Sequence, residues 1–442
     1  MKNPDIKKFK NYKFGMFIHW GLYSVAGNSE WGIMYDDKSM EEYKHLTYDN
    51  FTAENCNTDE WAELAKTIGC RYMVFNARHH DGFSLYDSKC SWGDYTSVNS
   101  PAKRDFIQEY VDSCRKYDLG VGIYYSPIDW RFPGFYNPKM FKENAQEMVK
   151  QCRDQINELT TNYGPIDVLW YDGGEDFVVA FGIDFGKRRV PEDFRTNPKF
   201  KDFWHEDELD EIARTNQPGI VISPRIGSRK NGDFKVYECR ISNYDVENVW
   251  ETCDRVANSW GWTPDVQPKS LRELVQLFVR VITGGGNLLL NIGPDGSGRL
   301  EPSQKKRLLE LGEYVNKYAE SIFDTEAGPI VNGNYGGTTH NKHSVYLHIT
   351  DWRCDEATFP TLNAKVKSVE CLSSNDGFKW AEKDGVLHMT VSEKAKLDLD
   401  TIFKITFEDE VDKIFEGFDA HSFKIDAPEL QFSTLILGEE NN

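Results

Sequence analysis

The strongest constraint on this chain is a rhythm. Short apolar runs alternate with amphipathic stretches over its first three hundred residues, and each apolar run ends in polar or aromatic residues. Residues 14–18 (FGMFI) run into His19-Trp20-Gly21, with Asn28, Ser29, Glu30 and Trp31 just beyond. Residues 71–76 (RYMVFN) run into Arg78-His79-His80-Asp81-Gly82-Phe83. Residues 121–125 end in Tyr124-Tyr125 and continue to Ser126, Asp129 and Trp130. Residues 166–174 (IDVLWYDGG) close on Trp170, Tyr171, Asp172 and two glycines. None of these runs alternates apolar with polar, which is the pattern of a parallel strand covered on both faces.

The intervening stretches read as helices. Trp61, Leu64, Ala65 and Ile68 share one face behind an Asn57/Glu60 cap-like pair, and Gly69 stops the run. Phe106, Ile107, Tyr110, Val111 and Cys114 repeat the spacing, and residues 138–162 carry Met148, Val149, Cys152, Ile156 and Leu159 on one side. The alternation resumes with 219–223 (GIVIS) before Pro224-Arg225, with 233–238 (DFKVYE) ending in Glu238, and with Glu251 and Trp260 on the next connection. Ser270 and Glu273 form a capping box ahead of a helix, 287–292 (NLLLNI) is a late strand, and Pro302 opens a last helix. Strand–helix alternation with functional residue types at every strand end predicts a (β/α)8-like TIM barrel with its site at the C-terminal rim. A doubly wound open sheet would need a glycine-rich phosphate turn after an early strand, and none is present.

The texture changes near residue 325. Helical periodicity gives way to short β-rich runs at 344–350, 386–391, 403–407 and 432–437, separated by turn clusters. Residues 1–325 are therefore expected to form the catalytic barrel, and 326–442 a small C-terminal β-sandwich that serves as a packing appendage. Residues 176–207 break the rhythm with charged and aromatic residues; a loop of this length in a barrel is either a functional lid or a surface insertion.

Composition narrows the function. The formal charge is −19, so nucleic acid and anionic lipid are disfavoured as partners. The nine cysteines show no CxxC pair and no zinc-ligand spacing, so neither a disulfide framework nor a metal site is expected. No apolar run is long enough to cross a membrane. The opening residues are basic and polar and not those of a signal peptide, so the expectation is a cytoplasmic protein, or a periplasmic or secreted one if the sequence starts at a mature end. Nothing in the sequence indicates an oligomeric state.

Aromatics make up 14% of the chain, with 12 tryptophans, which suits stacking on sugars. Trp170 and Asp172 are two apart and point the same way off one strand, a flat apolar face beside a carboxylate. Asp172 is the expected nucleophile of a glycoside hydrolase. Such a reaction needs a second carboxyl group, about 5–5.5 Å away in a retaining enzyme. Glu238, Glu251 and Glu30 all lie near strand tips, and the residues alone do not choose among them. His19, His79 and His80 form no metal motif; they read as neutral imidazoles for sugar hydroxyls, with Trp31 and Trp260 as apolar walls.

The segments FGMFIHWGLYS, SEWG, NARHHDGFSLYDS, GIYYSPIDW, DVLWYDGG, GDFKVYE, VWETC, NSWGW and GGNLLLNIGPDGSGRLEP together resemble the α-L-fucosidases of glycoside hydrolase family 29, in order from Phe14 to Pro302. The resemblance implies a barrel followed by a β-sandwich, release of terminal α-L-fucose from fucosylated glycans with retention, and no cofactor. It places the nucleophile at Asp172 and the acid/base at Glu238, which closes the GDFxxxE motif. It implies substrate contacts from His19, Glu30, Trp31, His79, His80, one of Tyr124 and Tyr125, Trp170, Arg225 and Trp260, with Trp260 against the sugar methyl group; Glu251 stays among the candidates. Ser223-Pro224-Arg225 replaces the family's usual NDR and Val236-Tyr237 its usual Thr-Pro, which bears on linkage preference. A glycosidase for a related sugar such as α-L-galactose, and a non-catalytic glycan-binding protein on the same scaffold, are the alternative readings.

Overall fold

The structure, a computed structural model, describes residues 4–35, 38–173, 202–226, 232–242 and 244–421. Eight parallel strands form one curled sheet. They are β1 (Phe14–Ile18), β2 (Tyr72–Arg78), β3 (Gly120–Tyr125), β4 (Val168–Tyr171), β5 (Val221–Ile222), β6 (Lys235–Glu238), β7 (Trp250–Arg255) and β8 (Asn287–Ile292). Their order is β5-β4-β3-β2-β1-β8-β7-β6, so the first strand lies between the second and the last, as in a TIM barrel. Every residue of β1 through β5 and of β8 is buried, which is why those segments carry no polar alternation.

The seam between β5 and β6 has no strand ladder among the described residues. Asp233 bridges it instead. Its backbone N–H donates to the Ile222 carbonyl at 2.8 Å, and its carboxylate accepts from the Ile222 N–H and from Arg214, both at 2.8 Å.

Helices lie between the strands where the apolar periodicity places them. The helix Thr58–Thr67 is capped by the Asn57 side chain and buries Trp61, Ala62, Leu64 and Ala65. The helix Leu271–Thr283 begins with the Ser270/Glu273 capping box. The third helix starts at Lys142, four residues later than the spacing predicts, because Pro133–Tyr136 forms its own short turn of helix first.

The inside of the barrel is an aromatic and aliphatic cluster that includes Phe17, Tyr72, Val74, Tyr124, Val168, Trp170, Phe234, Cys253 and Leu289. Gly15 of β1 makes room for one member, since a Cβ there would stand 2.3 Å from the Tyr72 ring.

By packing, the chain divides into two compact units. One holds residues 1–240, 248–269 and 287–313, and the other holds 241–247, 270–286 and 314–442. The second contains a β-sandwich. Its strands are β9 (Glu326–Ala327), β10 (Gly336–His340), β11 (Ser344–Ile349), β12 (Ala357–Pro360), β13 (Val366–Cys371), β14 (Lys379–Lys383), β15 (Val386–Thr390) and β16 (Thr401–Phe407). A five-stranded antiparallel sheet ordered β13-β16-β11-β10-β9 packs with a three-stranded sheet ordered β12-β15-β14. Val345, Leu347, Phe359, Leu387, Met389, Phe403 and Ile405 form their shared core. The run expected at 432–437, and most of the stretch at 176–207, lie outside the described residues; Glu206 begins a helix that continues to Asn216. All nine cysteines are free, and no helix among the described residues is long and apolar enough to cross a membrane.

Candidate active site

A cavity of about 230 Å³ opens at the C-terminal end of the strands. Phe17, His19, Glu30, Trp31, His79, Tyr124, Trp170, Asp172, Glu238, Cys253 and Trp260 line it. The volume lies below the roughly 300–1,000 Å³ of sites for drug-sized ligands and suits one small ring.

Asp172 follows β4 directly, and its backbone N–H is fixed by the Tyr125 carbonyl at 3.1 Å. One carboxylate oxygen accepts from Arg225 Nε at 3.0 Å and Nη2 at 2.7 Å. The other accepts from the Tyr124 hydroxyl at 3.0 Å and lies 3.8 Å from His80 Nε2. Burial pushes the Asp172 carboxyl up, but the Arg225 charge, His80 and the hydrogen bonds outweigh it and hold the group below its ordinary range. Asp172 is therefore an anion at neutral pH.

Glu238 ends β6. The same Arg225 Nη2 that holds Asp172 at 2.7 Å holds a Glu238 oxygen at 2.8 Å. Two oxygens bound to one nitrogen cannot be farther apart than those two bonds laid end to end, so the acids face each other across a short gap. That upper limit does not exceed the roughly 5–5.5 Å of retaining glycosidases and falls short of the 6.5–9.5 Å of inverting ones. The Glu238 side chain is 39% exposed, against 17% for Asp172. It is the more open of the two acids.

Three histidines back the pocket and are buried. His19 Nδ1 lies 2.7 Å from Asn291 Oδ1, and His80 Nδ1 lies 2.6 Å from Ser126 Oγ. His79 Nδ1 is buried without a hydrogen-bond partner among the described residues, and its ring stacks on Tyr124 at 5.4 Å. Burial lowers all three, His80 to about 4, so all are neutral imidazoles at pH 7. Glu30 is tied down by the Gly261 N–H at 3.0 Å and the Ser29 hydroxyl at 2.6 Å. Trp260 closes one wall, 5.2 Å from His19 and 6.1 Å from Phe17.

The structure thus brings together His19, Glu30, Trp31, His79, Tyr124, Trp170, Asp172, Glu238 and Trp260 around one cavity, with His80 and Arg225 bonded or close to Asp172. Two of the candidate residues, Tyr125 and Glu251, lie away from this cavity. Tyr125 faces out of the barrel, because alternate strand residues point opposite ways; its hydroxyl meets Arg78 at 2.6 Å and Gln155 at 2.9 Å. Glu251 lies below the pocket floor with no exposed surface, bonded to Trp170 and Tyr72. Sequence reasoning missed Phe17 and Cys253; each lies on a strand whose inward face only the register reveals. Among the described residues no group of three or more His, Cys, Asp or Glu is arranged to hold a metal ion.

Two carboxylates facing each other over an aromatic-walled pocket, at the C-terminal mouth of a parallel barrel, make a glycoside hydrolase site. The comparisons with known proteins agree. The family profile described as alpha-L-fucosidase matches residues 1–320, and the chain belongs to that family. It is 32% identical to a putative alpha-L-fucosidase of Caenorhabditis elegans over 391 residues, 79% of this chain and 75% of the relative. Alpha-L-fucosidase isoenzyme 1 from Paenibacillus thiaminolyticus superposes with a TM-score of 0.78 at 29% identity, covering 91% of this chain and 99% of that one. A GH29 alpha-L-fucosidase from Bacteroides thetaiotaomicron, described as a trapped covalent intermediate, shares the fold with a TM-score of 0.77 at 22% identity, covering 91% and 95%.

Proposed function

We propose that this chain is a retaining exo-α-L-fucosidase that releases terminal α-L-fucose from fucosylated oligosaccharides or glycoconjugates. Asp172 is the nucleophile and Glu238 the general acid/base. The observation that carries this reading is the single Arg225 guanidinium holding both acids at 2.7 and 2.8 Å. In the first step an Asp172 oxygen bonds to the anomeric carbon, the glycosidic bond breaks, and Glu238 gives its proton to the departing oxygen. In the second step Glu238 takes a proton from water, whose oxygen displaces Asp172 and restores the original configuration. The covalent intermediate described for the Bacteroides protein supports the same course here.

His19, His79 and His80, kept neutral by burial, offer hydrogen bonds to sugar hydroxyls without charge, and Trp260 packs on the methyl group. Residues 1–325 form the catalytic domain in this reading, and 326–442 a supporting β-sandwich.

Asp172→Ala should lower kcat on an aryl α-L-fucoside by at least about 10³-fold, the scale on which loss of a group acting at the reacting centre is felt. Azide should partly restore turnover by replacing the missing carboxylate. Undiminished turnover would remove Asp172 from the mechanism. Glu238→Ala should harm natural fucosides more than aryl ones, whose leaving group needs little protonation. Equal harm to both would take the acid/base role from Glu238.

A further inference from the structure

We propose that Glu251 is a positioning residue: from beneath the pocket floor it fixes the Trp170 indole, and through that ring the two groups that aim Asp172. This rests on the reading of Asp172 as nucleophile. Glu251 pairs in register with Val236, whereas Cys253, two residues on, pairs with Glu238. At about 3.3 Å per residue, Glu251 lies roughly 7 Å deeper in the barrel than the acid/base. It does not line the cavity and has no exposed surface, so it does not touch the sugar.

Its two oxygens are assigned separately. Trp170 Nε1 donates to one at 2.8 Å, and the Tyr72 hydroxyl donates to the other at 2.5 Å. No ion pair among the described residues includes it. Its surroundings are the barrel's apolar cluster, where a carboxyl is a costly occupant. An apolar side chain would fill that space at lower cost, so the group's value lies in its direction: it accepts from the indole N–H and sets the ring plane.

What rests on that plane is the site. The Tyr124 ring stacks on Trp170 at 5.7 Å with 20° between planes, and the Arg225 guanidinium lies over the indole at 5.3 Å. Tyr124 and Arg225 are the hydrogen-bond donors to Asp172, and Arg225 also holds Glu238. Turning the indole would move both. A displacement of about 1 Å at a reacting group can cost 10²-fold in rate.

The test is a mutant cycle on an aryl α-L-fucoside with Glu251→Gln, Trp170→Phe and the double variant. Glu251→Gln should lower kcat by about 10- to 100-fold, the usual range for groups that orient a reacting one, with a smaller change in KM. In the Trp170→Phe background the same change should cost less than about threefold, because the ring it orients no longer donates. Full additivity would overturn the proposal. The indole N–H resonance of Trp170, assigned by its disappearance in Trp170→Phe, should move upfield in Glu251→Gln; an unmoved resonance would also overturn it.

If Glu251→Gln does not fold, Tyr72→Phe serves. It removes the other donor and should leave kcat within about threefold while Trp170→Phe does not; equal losses would sink the assignment. The azide rescue of Asp172→Ala is independent of all these variants. If rescue holds and the cycle is additive, only the positioning role falls; if rescue fails, the nucleophile assignment falls by itself.

Discussion

The barrel and the β-sandwich unit each contain a histidine–aspartate–tyrosine cluster, and the two differ in what surrounds them. In the barrel, Asp172 accepts from the Tyr124 hydroxyl at 3.0 Å with His80 at 3.8 Å. In the other unit, Asp400 accepts from the Tyr314 hydroxyl at 2.6 Å and meets His348 Nδ1 at 2.7 Å. The second cluster is the tighter one. His348 and Asp400 expose no side-chain surface, and each keeps one buried polar atom without a partner among the described residues. The barrel's aspartate differs in two ways: a guanidinium stands beside it, and a cavity opens over it. Residue types set what a cluster can bond; a counter-charge and an approach path decide whether it can react.

The comparison breaks most sharply at the guanidinium. Arg225→Met should lower kcat/KM by about 10²–10³-fold, since it removes the donor that fixes both acids. It should also move the acidic limb of the pH–rate profile upward, because Asp172 loses the charge that holds its carboxyl down. An unmoved limb would show that Arg225 does not tune Asp172.

The sandwich cluster should respond in stability alone. Asp400→Ala strands His348 Nδ1 and the Tyr314 hydroxyl in a buried place, at a cost of about 2–5 kcal/mol in urea unfolding. kcat/KM of the folded enzyme should stay within about twofold, and a larger change would give that cluster a role in catalysis.

The smallest effect concerns pH and stability. Burial takes His80 from 6.5 to about 4. Between those values the unfolded chain binds a proton that the folded one refuses, so stability falls as pH drops from 6.5 toward 4. Asp172, held below its ordinary range, acts in the same direction, its contribution being lost as pH falls through the folded value. His80→Asn should flatten the stability profile in that window, and an unchanged slope would refute a neutral, buried His80.

Much of this was legible beforehand. The strand–helix rhythm carries the barrel, because parallel strands buried on both faces leave unbroken apolar runs. LWYD carries Asp172, because Asp172 closes such a run at the rim. What the residues do not carry is depth. Glu238, Glu251 and Glu30 all read as lying near strand tips, but Glu251 is the second residue of β7 and pairs with Val236, a layer below Glu238. Family resemblance chose Glu238 where spacing did not. The sequence left Tyr124 and Tyr125 unseparated for a related reason: adjacent residues of a fully buried strand face opposite sides, and hydrophobicity marks neither as inward. The buried Arg78–Asp129 pair, at 3.3 Å, was visible only as polar residues near the ends of two strands, and Arg131, 2.6 Å from Asp129, was not singled out.

Among the described residues no ladder joins β5 to β6, so that joint leans on side-chain charge and on Asp233 where the rest of the hoop is laced by backbone. Asp233 with Arg214 fastens its outer edge, and Arg225 with Asp172 and Glu238 fastens its rim. Neutralising those charges would therefore slacken this one joint while leaving the ladders of the other strands intact.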